Sequence, residues 1–414
     1  MRRSVAAMTS NDDRRFDLVV FGATSFVGQI LCRYLVDRHG TAGSLRWAIA
    51  GRNAAKLDEV AAATGADVER IVVDAADVAG LADLAESTTV VVSTVGPYAR
   101  YGSPLVAAVA ASGTGYCDLT GETQWMRRMI DAHQAEAEAS GARIVHTCGF
   151  DSIPSDMGVW FTQQRAIEMF GEPCTRIDMQ VKAMKGGASG GTIASMLNIM
   201  EEAGADKGLR KLLADPYCLN PVDLRSGPAQ PDLDRPQRDA ASGQWVAPFV
   251  MAAVNARVVQ RSHALLGRPW GPEFRYRESM AMGSGAVGAV KAGGFTAGLA
   301  AGMGLMAVGP TRRLAAKVLP KPGEGPSPKA QEEGFFDIRF HGTTADGRSI
   351  DTKVTGDRDP GYGGTAKMLG EAAVALVELP AADLGGGLWT PSTAFGDRLV
   401  ERLEAHAGLE FSVL

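Results

Sequence analysis

The hydrophobic pattern in the first third of the chain alternates between two periods. Short, nearly continuous runs of strand-forming residues lie at 18–21, 45–50, 70–74, 89–93, 116–119 and 143–148. Between them, apolar residues recur every three or four positions, which is typical of amphipathic helices. Strands that alternate with helices at these spacings indicate a parallel sheet covered by helices. We therefore predict a doubly wound α/β domain over residues 16–150.

The first run leads into a glycine turn and then into an amphipathic helix. The first amides of a helix have no partner inside it, and the helix dipole adds positive potential, so such a turn binds anions. After a strand, the usual anion is a dinucleotide pyrophosphate; a plain turn packed through glycine is the alternative. Ser25 replaces the usual middle glycine, and its hydroxyl is able to donate to a phosphate. The predicted cofactor-binding residues of this Rossmann turn are Gly22, Ala23, Thr24, Ser25, Phe26, Val27 and Gly28.

Three further positions at strand ends bear on the cofactor. Arg52 follows the second run, where an arginine would pair with the 2′-phosphate of NADP and an acid would bind the ribose of NAD. We therefore predict NADP(H) rather than NAD(H). Asp74 ends the third run and would either accept from the adenine amino group or cap the next turn. The loop that follows the fourth run is formed by Thr94, Val95, Gly96 and Pro97. We expect this loop to lie beside the ribose and nicotinamide of the cofactor.

The rest of the chain mixes helices with alternating strands. Alternation at 335–342 and 348–354, joined by the turn at 345–347, predicts a β-hairpin. We predict a second α+β domain, with an antiparallel or mixed sheet, over 151–280 and 330–362. C-terminal helices over 363–414 should pack back on the first domain, and 1–15 should be a disordered tail. Edge pairing of the second sheet would allow a homodimer.

Residues 281–329 form an apolar Gly/Ala-rich segment followed by a Pro-rich linker. Residues 281–310 carry one charge, Lys291, and glycines at 294, 298 and 302 repeat a spacing that lets helices approach closely. Three interpretations remain open: a transmembrane helix, a buried helical hairpin, or an exposed segment that meets a membrane surface or a lipid chain. Basic residues after the segment suit an anionic surface.

Charge and cysteine content narrow the class of partner. The net charge is −5, so the chain lacks the excess of basic residues that is typical of nucleic-acid-binding proteins. The five cysteines show neither a CxxC pair nor a zinc spacing, so no metal site is predicted and a reducing cytoplasm fits. We expect a cytoplasmic protein, with peripheral membrane contact as an option.

The motifs taken together resemble the saccharopine dehydrogenase-like oxidoreductases, and among these the actinobacterial trans-acting enoyl reductases. The resemblance rests on residues 22–28, 50–52, 94–98, 118–122, 148–156, 189–192, 215–217 and 389–391. It implies an NADP-binding enzyme that reduces a carbon–carbon double bond of a lipid or polyketide thioester, in trans to a polyketide synthase. Two alternatives stay open: a C–N oxidoreductase acting on an amino acid, and a non-catalytic nucleotide-binding scaffold at membranes or lipids.

Enoyl reduction also requires a proton donor near the nicotinamide. Candidates near that end are Tyr98, Tyr101 and Ser152, with Asp151 and Glu122 to orient them or to bind the carboxamide. Tyr98 would otherwise only form a wall of the cofactor pocket, and Asp151 and Asp156 would otherwise cap the following helix. The predicted catalytic residues are Tyr98, Asp151 and Ser152.

Overall fold

The computed structural model of the chain describes residues 14–186, 190–230, 232–307, 311 and 325–414. Two seven-stranded sheets organise these residues. The first is entirely parallel, in the order β13-β6-β5-β4-β1-β2-β3. Its strands are β1 Phe16–Phe21, β2 Trp47–Gly51, β3 Glu69–Val72, β4 Thr88–Ser93, β5 Gly115–Asp118, β6 Arg143–Val145 and β13 Gly387–Trp389.

The predicted doubly wound sheet is confirmed. Val90, Val91 and Val92 on the central β4 are fully buried, as expected for a strand covered on both faces. Local capping sets several helix starts: the side chains of Ser25, Asn53 and Asp77 each accept from a backbone amide of the first turn that follows. The helices are α1 Phe26–His39, α2 Ala54–Thr64, α3 Val78–Ser87, α4 Tyr98–Tyr101, α5 Ser103–Ser112 and α6 Thr123–Ser140.

The second sheet is mixed, in the order β14-β12-β11-β7-β10-β9-β8. β7 and β10 run parallel and the other neighbours run antiparallel. The predicted hairpin is present, with Gly347 at a φ of 91° in its turn. The strands are β7 Cys174–Lys185, β8 Gln237–Arg238, β9 Trp245–Ala247, β10 Arg275–Gly283, β11 Phe335–Thr344, β12 Ser349–Gly356 and β14 Leu409–Val413.

The remaining helices connect and cover the two sheets. They are α7 Ile153–Phe170, α8 Gly190–Ala205, α9 Lys207–Ala214, α10 Ala252–Leu265, α11 Gly285–Ala307, α12 Pro328–Glu332, α13 Thr365–Glu378, α14 Pro391–Phe395 and α15 Asp397–Arg402. A 3₁₀ turn covers Val222–Leu224, and π-helical turns cover Pro360–Gly364 and Leu403–Ala407.

One hydrophobic core reaches both sheets. It contains Leu18 of β1, Ile177 of β7 and Phe340 of β11, all fully buried. Helix α13 contributes Leu369 to the same core and contacts β4 and β5 of the first sheet. The C-terminal segment therefore packs on the first sheet, and it also adds a strand to each sheet.

Two details differ from the sequence-based expectations. Arg14, placed in the predicted tail, is buried, and its guanidinium donates to the carbonyls of Ala85, Thr88 and Ser112 and to the Thr114 hydroxyl. Residues 1–13 lie outside the described residues. The last of the C-terminal helices predicted over 363–414 is broken at Gly396, whose φ is 52°.

The apolar segment is a single helix rather than a hairpin. Its first residues, 281–283, end β10, and α11 follows. No helix within the described residues has the length and apolarity needed to cross a bilayer. A Cβ built on Gly294, Gly298 or Gly302 meets nothing within 4 Å, so these glycines do not mark a close approach to another described helix. The Pro-rich linker lies largely outside the described residues, at 308–310 and 312–324.

Candidate active site

The turn between β1 and α1 is held in shape by its own residues and by β4. Gly22 has a φ of 89°, and its amide donates to the Ala50 carbonyl at 2.9 Å. Ser25 Oγ accepts from the Gly28 amide at 2.9 Å and lies 2.8 Å from Thr94 Oγ1. The Ser25 hydroxyl therefore caps the helix and ties the turn to Thr94 rather than standing free for a phosphate.

The same turn fits a dinucleotide pyrophosphate. A Cβ on Gly28 would lie 2.3 Å from the Gly22 carbonyl oxygen, so only glycine allows this close approach. No described hydrogen bond uses the amides of Phe26 and Val27, and both residues are partly exposed. These amides at the positive end of α1 are suited to phosphate oxygens.

Two further predicted cofactor residues, Arg52 and Asp74, lie at the ends of neighbouring strands. Arg52 follows β2, is exposed, and makes no ion pair with a described residue. Its guanidinium is thus available to a 2′-phosphate. Asp74 follows β3, is exposed, and accepts from the Ala76 amide at 2.9 Å. That bond is the turn-capping role that the sequence left as the alternative.

Tyr98 is tied into the sheet by its hydroxyl. The OH donates to the Ser93 carbonyl at 3.0 Å, and burial raises its pKa well above the ordinary value. The ring lies 5.4 Å from that of Trp125. The arrangement supports the role of a cavity wall rather than that of a proton donor. Tyr101 is 45% exposed and does not line the cavity described below.

Glu122 holds the loop that carries Tyr98. Its carboxylate accepts from the amides of Tyr98 and Ala99 at 2.7 and 3.0 Å, and from Ser195 Oγ of α8 at 2.9 Å. The carboxylate is fully buried, and this burial raises its pKa. Glu122 therefore orients the loop and links it to α8.

A strained turn follows β6. Thr147 has a φ of 62°, which is uncommon for a residue other than glycine. Its amide donates to Asp118 Oδ1 at 3.1 Å, and Asp118 Oδ2 lies 2.8 Å from His146 Nδ1. Thr120 also donates its amide to Asp118 Oδ1 at 3.1 Å. The buried Asp118 carboxylate thus fixes the two turns that follow β5 and β6.

Asp151 is presented by this second turn. The neighbouring Phe150 amide donates to Thr365 Oγ1 at 3.0 Å, which anchors the turn to α13. The Asp151 carboxyl group accepts no hydrogen bond and makes no ion pair within the described residues. Burial raises its pKa to about 6. A carboxyl group with that pKa is partly protonated near neutral pH and can donate a proton.

Ser152 faces away from Asp151, into a buried polar network. It is fully buried, and its hydroxyl donates to Asn255 Oδ1 of α10 at 3.2 Å. Asn255 donates to Glu278 Oε2 of β10 at 2.9 Å, and the Tyr276 hydroxyl donates to Glu278 Oε1 at 2.7 Å. Burial raises the pKa of Glu278 to about 7. The geometry does not bring Ser152 to the cavity, so it acts from behind the turn.

Asp156 does not cap α7. It lies inside the first turn of that helix, and Ser152 stands at the cap position without a capping side-chain bond. The Asp156 carboxylate accepts from Ser262 Oγ at 2.6 Å and from the Ser392 amide at 2.8 Å. It therefore ties α7 to α10 and α14.

A cavity of about 910 Å³ joins these groups. Its lining includes Ser25 and Phe26 from the glycine turn, Thr94 and Gly96 from the loop after β4, and Asp151. The opposite wall is apolar and comes from α8, the start of α10, and α11. It includes Met196, Ile199, Met200, Met251, Val254, Leu299, Met303 and Met306.

Sequence reasoning missed the groups that reach the site from far along the chain. Thr365, Asn255 and Glu278 belong to elements that carry no recognisable motif, and Ser195 lies just after the motif at 189–192. The methionines of α8 and α11 were a usable signal, because methionine is adaptable and frequent at varied apolar binding surfaces.

The first sheet matches a family model described as the saccharopine dehydrogenase NADP binding domain, over residues 18–145. A Mycobacterium tuberculosis protein named as a trans-acting enoyl reductase is 43% identical over 407 residues, covering 95% of this chain and 96% of that protein. A trans-acting enoyl reductase of Mycobacterium bovis is 40% identical, covering 94% of this chain and 96% of its own.

A solved structure shows the same fold. Saccharopine dehydrogenase (L-Glu forming) from Saccharomyces cerevisiae aligns with a TM-score of 0.55 and 11% identity, covering 96% of this chain and all of that chain. The identity and coverage of the mycobacterial relatives extend through both sheets. The chain belongs to the trans-acting enoyl reductase family, within the saccharopine dehydrogenase-like oxidoreductases.

Proposed function

We propose that the chain is an NADPH-dependent enoyl reductase that reduces a carbon–carbon double bond of a lipid or polyketide thioester. The observation that carries the proposal is the cavity, which connects the anion-binding turn and Asp151 with an apolar wall. The names of the mycobacterial relatives support the reaction and a polyketide synthase as the partner in trans. The family model supports NADP as the cofactor.

Residues in different parts of the cavity have different roles in this reaction. NADPH, when bound, supplies the hydride that adds to the β-carbon of the enoyl group. The amides of Phe26 and Val27 bind the pyrophosphate, and Arg52 binds the 2′-phosphate. Thr94 and Gly96 border the ribose and nicotinamide. Asp151 in its protonated form donates a proton to the α-carbon.

The lining of the cavity argues against an amino-acid substrate. A C–N oxidoreductase of the saccharopine type needs cationic groups for substrate carboxylates. Asp151 is the one charged side chain among the described residues that line the cavity. An apolar substrate fits this lining better than one with two or three carboxylates.

NADPH oxidation tests the proposal directly. Purified protein should oxidise NADPH with an enoyl thioester presented on pantetheine or on a carrier protein, and give the saturated thioester. A keto acid with lysine is the parallel assay for the C–N alternative. Turnover of that pair, or tight NADPH binding with no turnover of any enoyl thioester or enone, would overturn the proposal. The second outcome would favour a nucleotide-binding scaffold.

Cofactor choice is tested by titrating NADPH and NADH against tryptophan fluorescence. We expect NADPH to bind more tightly, and Arg52→Ala to weaken NADPH roughly tenfold while leaving NADH unchanged, because one charged pair with the 2′-phosphate is lost. Arg235→Ala, an exposed arginine on the surface, is the matched control. Equal losses for both cofactors would remove Arg52 from the 2′-phosphate site.

The exposed apolar face of helix α11 supports a proposal about where in the cell the protein acts. The helix exposes Val287, Val290 and Phe295, which are 67%, 75% and 42% accessible, and Lys291 is its one charged residue. We propose that the protein is a cytoplasmic enzyme and that this apolar face of α11 contacts a membrane surface. Wild-type protein should co-sediment with anionic vesicles, and the double variant Val287→Glu/Val290→Glu should not. Equal sedimentation of both proteins would reject the contact.

A homodimer is proposed on separate grounds. β14 is the outermost strand of the second sheet, so one of its edges is free to pair with a second copy. Sedimentation equilibrium should give twice the chain mass, and Val413→Pro on β14, at a position whose amide points away from β12, should give the monomer. A monomeric wild-type protein would contradict this proposal.

A further inference from the structure

Two glycines of α11 face the cavity that contains Asp151. Gly298 and Gly302 line it together with Leu299, Met303 and Met306. A Cβ built on either glycine meets no atom within 4 Å. Neither glycine has a positive φ, so the backbone does not require glycine at these positions.

Some glycines of the chain are tightly enclosed. A Cβ on Gly288, in the first turn of the same helix, would lie 2.2 Å from the Gly283 carbonyl oxygen. Each glycine in a helix interior costs about 1 kcal/mol relative to alanine. Gly298 and Gly302 therefore carry this cost with no packing contact that explains it. Both glycines are exposed, and they differ from the equally open Gly294 and Gly304 of the same helix because they line the cavity.

The part of the wall next to these glycines is adaptable. Helix α8 contributes Met196, Ile199 and Met200, and α8 contacts α11. Methionine side chains are unbranched and polarisable, so they adjust to apolar groups of different shape. Helix α8 is also fixed to the nucleotide-binding side through the bonds from Ser195 to Glu122 and from Arg100 to Asn198. The wall is therefore held at a set place relative to Asp151.

We propose that Gly298 and Gly302 determine the size of the acyl chain that the enzyme accepts, because their bare backbone forms the floor on which the chain lies. This inference rests on the proposed function. The occupant is the apolar chain of the thioester, since the same cavity holds the reacting end beside Asp151 and offers no second charged group among the described residues. A leucine at either glycine would fill the space that the distal part of a long chain requires.

Binding of saturated thioesters tests the inference without turnover. Octanoyl, dodecanoyl and hexadecanoyl pantetheine compete with a fluorescent fatty-acid probe in the presence of NADP. Gly302→Leu should keep the octanoyl affinity and weaken the hexadecanoyl affinity roughly tenfold to a hundredfold, because about two to three methylenes lose their apolar contacts. Gly298→Leu should shift the limit in the same direction.

Gly304→Leu is the matched control. Gly304 lies on the same helix, a Cβ there also meets nothing, and it does not line the cavity. The Gly304→Leu variant should bind each of the three thioesters with the same affinity as the wild type. All three variants should unfold at or above the wild-type temperature and bind NADPH equally, because leucine favours a helix over glycine.

The outcomes separate this inference from the proposed function. Equal affinities in Gly302→Leu and wild type, or a loss that is the same for all three chains, would overturn the inference while leaving enoyl reduction intact. A length-selective loss in a protein that turns over no enoyl thioester would support the acyl site and overturn the proposed reaction. Absence of thioester binding to the wild type would also overturn the inference.

Discussion

Asp151 is a carboxyl group that the fold keeps among apolar side chains without a described partner. Its pKa of about 6 leads to a pH-dependent rate, because only the protonated form donates. We expect kcat/KM to fall about tenfold per pH unit above pH 6. Asp151→Asn should lower kcat about 10²- to 10⁴-fold, abolish this pH dependence and leave NADPH affinity unchanged.

Asp234→Asn is the control for this variant, since Asp234 is a surface carboxylate with 86% of its side chain accessible. Its kinetics should match those of the wild type. Retention of the wild-type pH profile in Asp151→Asn would assign the proton to another group.

Glu278 makes stability depend on pH. Its pKa rises from 4.5 to about 7 in the folded protein because the carboxyl group is buried. The folded state then binds more protons than the unfolded state between these values, so stability falls as pH rises from about 4.5 through about 7. The full effect is about 3 kcal/mol. Urea unfolding near pH 5 and near pH 8 measures it.

Glu278→Gln isolates this contribution. Asp151 and Asp156, whose pKa values also rise to about 6, act in the same direction and stay in the variant. The variant should therefore lose less free energy of unfolding between the two pH values than the wild type. An equal loss would show that Glu278 is already ionised in the folded protein.

Candidate site residues could be predicted from the sequence where they directly follow a parallel strand. Gly22 to Gly28, Arg52, Thr94 and Asp151 all follow parallel strands, and the carboxyl ends of such strands share one edge. Their roles in catalysis and cofactor binding stay predictions. Asn255 and Glu278 could not be predicted, because only the tertiary packing of α10 and β10 brings them behind Ser152.

At the scale of elements, the close contact between the glycine turn and α1 has a measurable consequence. Gly28→Ala forces a Cβ to 2.3 Å from the Gly22 carbonyl oxygen, and that neighbour is backbone. We expect a loss of about 1–3 kcal/mol in the free energy of unfolding, together with weaker NADPH binding. Thermal unfolding and a fluorescence titration measure the two effects.

Gly304→Ala provides the comparison, since alanine there meets no neighbour within 4 Å. It should stabilise the protein by up to about 1 kcal/mol through helix propensity. Similar behaviour of the two alanine variants would mean that the turn relaxes easily around a side chain.

Elements with a strong period were predictable, and those without one were not. The continuous apolar run at 89–93 matches β4 to within one residue. β13 is only three residues long, Gly387–Trp389, so no period can develop in it. Helix α11 consists mainly of Gly, Ala and Met, which define no polar face, so a hairpin and a single helix could not be distinguished from the pattern.

For the whole molecule, the shared core predicts one unfolding transition. Leu18 and Ile177 belong to different sheets but to the same buried cluster, to which α13 adds Leu369. Calorimetry should show a single peak despite the two sheets. NADPH at about a hundredfold excess over its Kd should stabilise the whole protein by about 2.7 kcal/mol.

Two peaks, of which NADPH moves only one, would contradict this expectation. That result would mean that the second sheet unfolds independently of the nucleotide-binding sheet. A variant that weakens NADPH binding without unfolding the protein, such as Arg52→Ala, should reduce the shift and keep the single peak.

The two late strands also govern when the protein can fold during synthesis. β13 completes the first sheet and β14 completes the second, and both come from the C-terminal end of the chain. When the ribosome has translated the chain through the glycine turn and as far as the end of β7, neither sheet is complete. Both sheets are finished only after β14 has left the exit tunnel, so open sheet edges persist on the nascent chain while the second half is made.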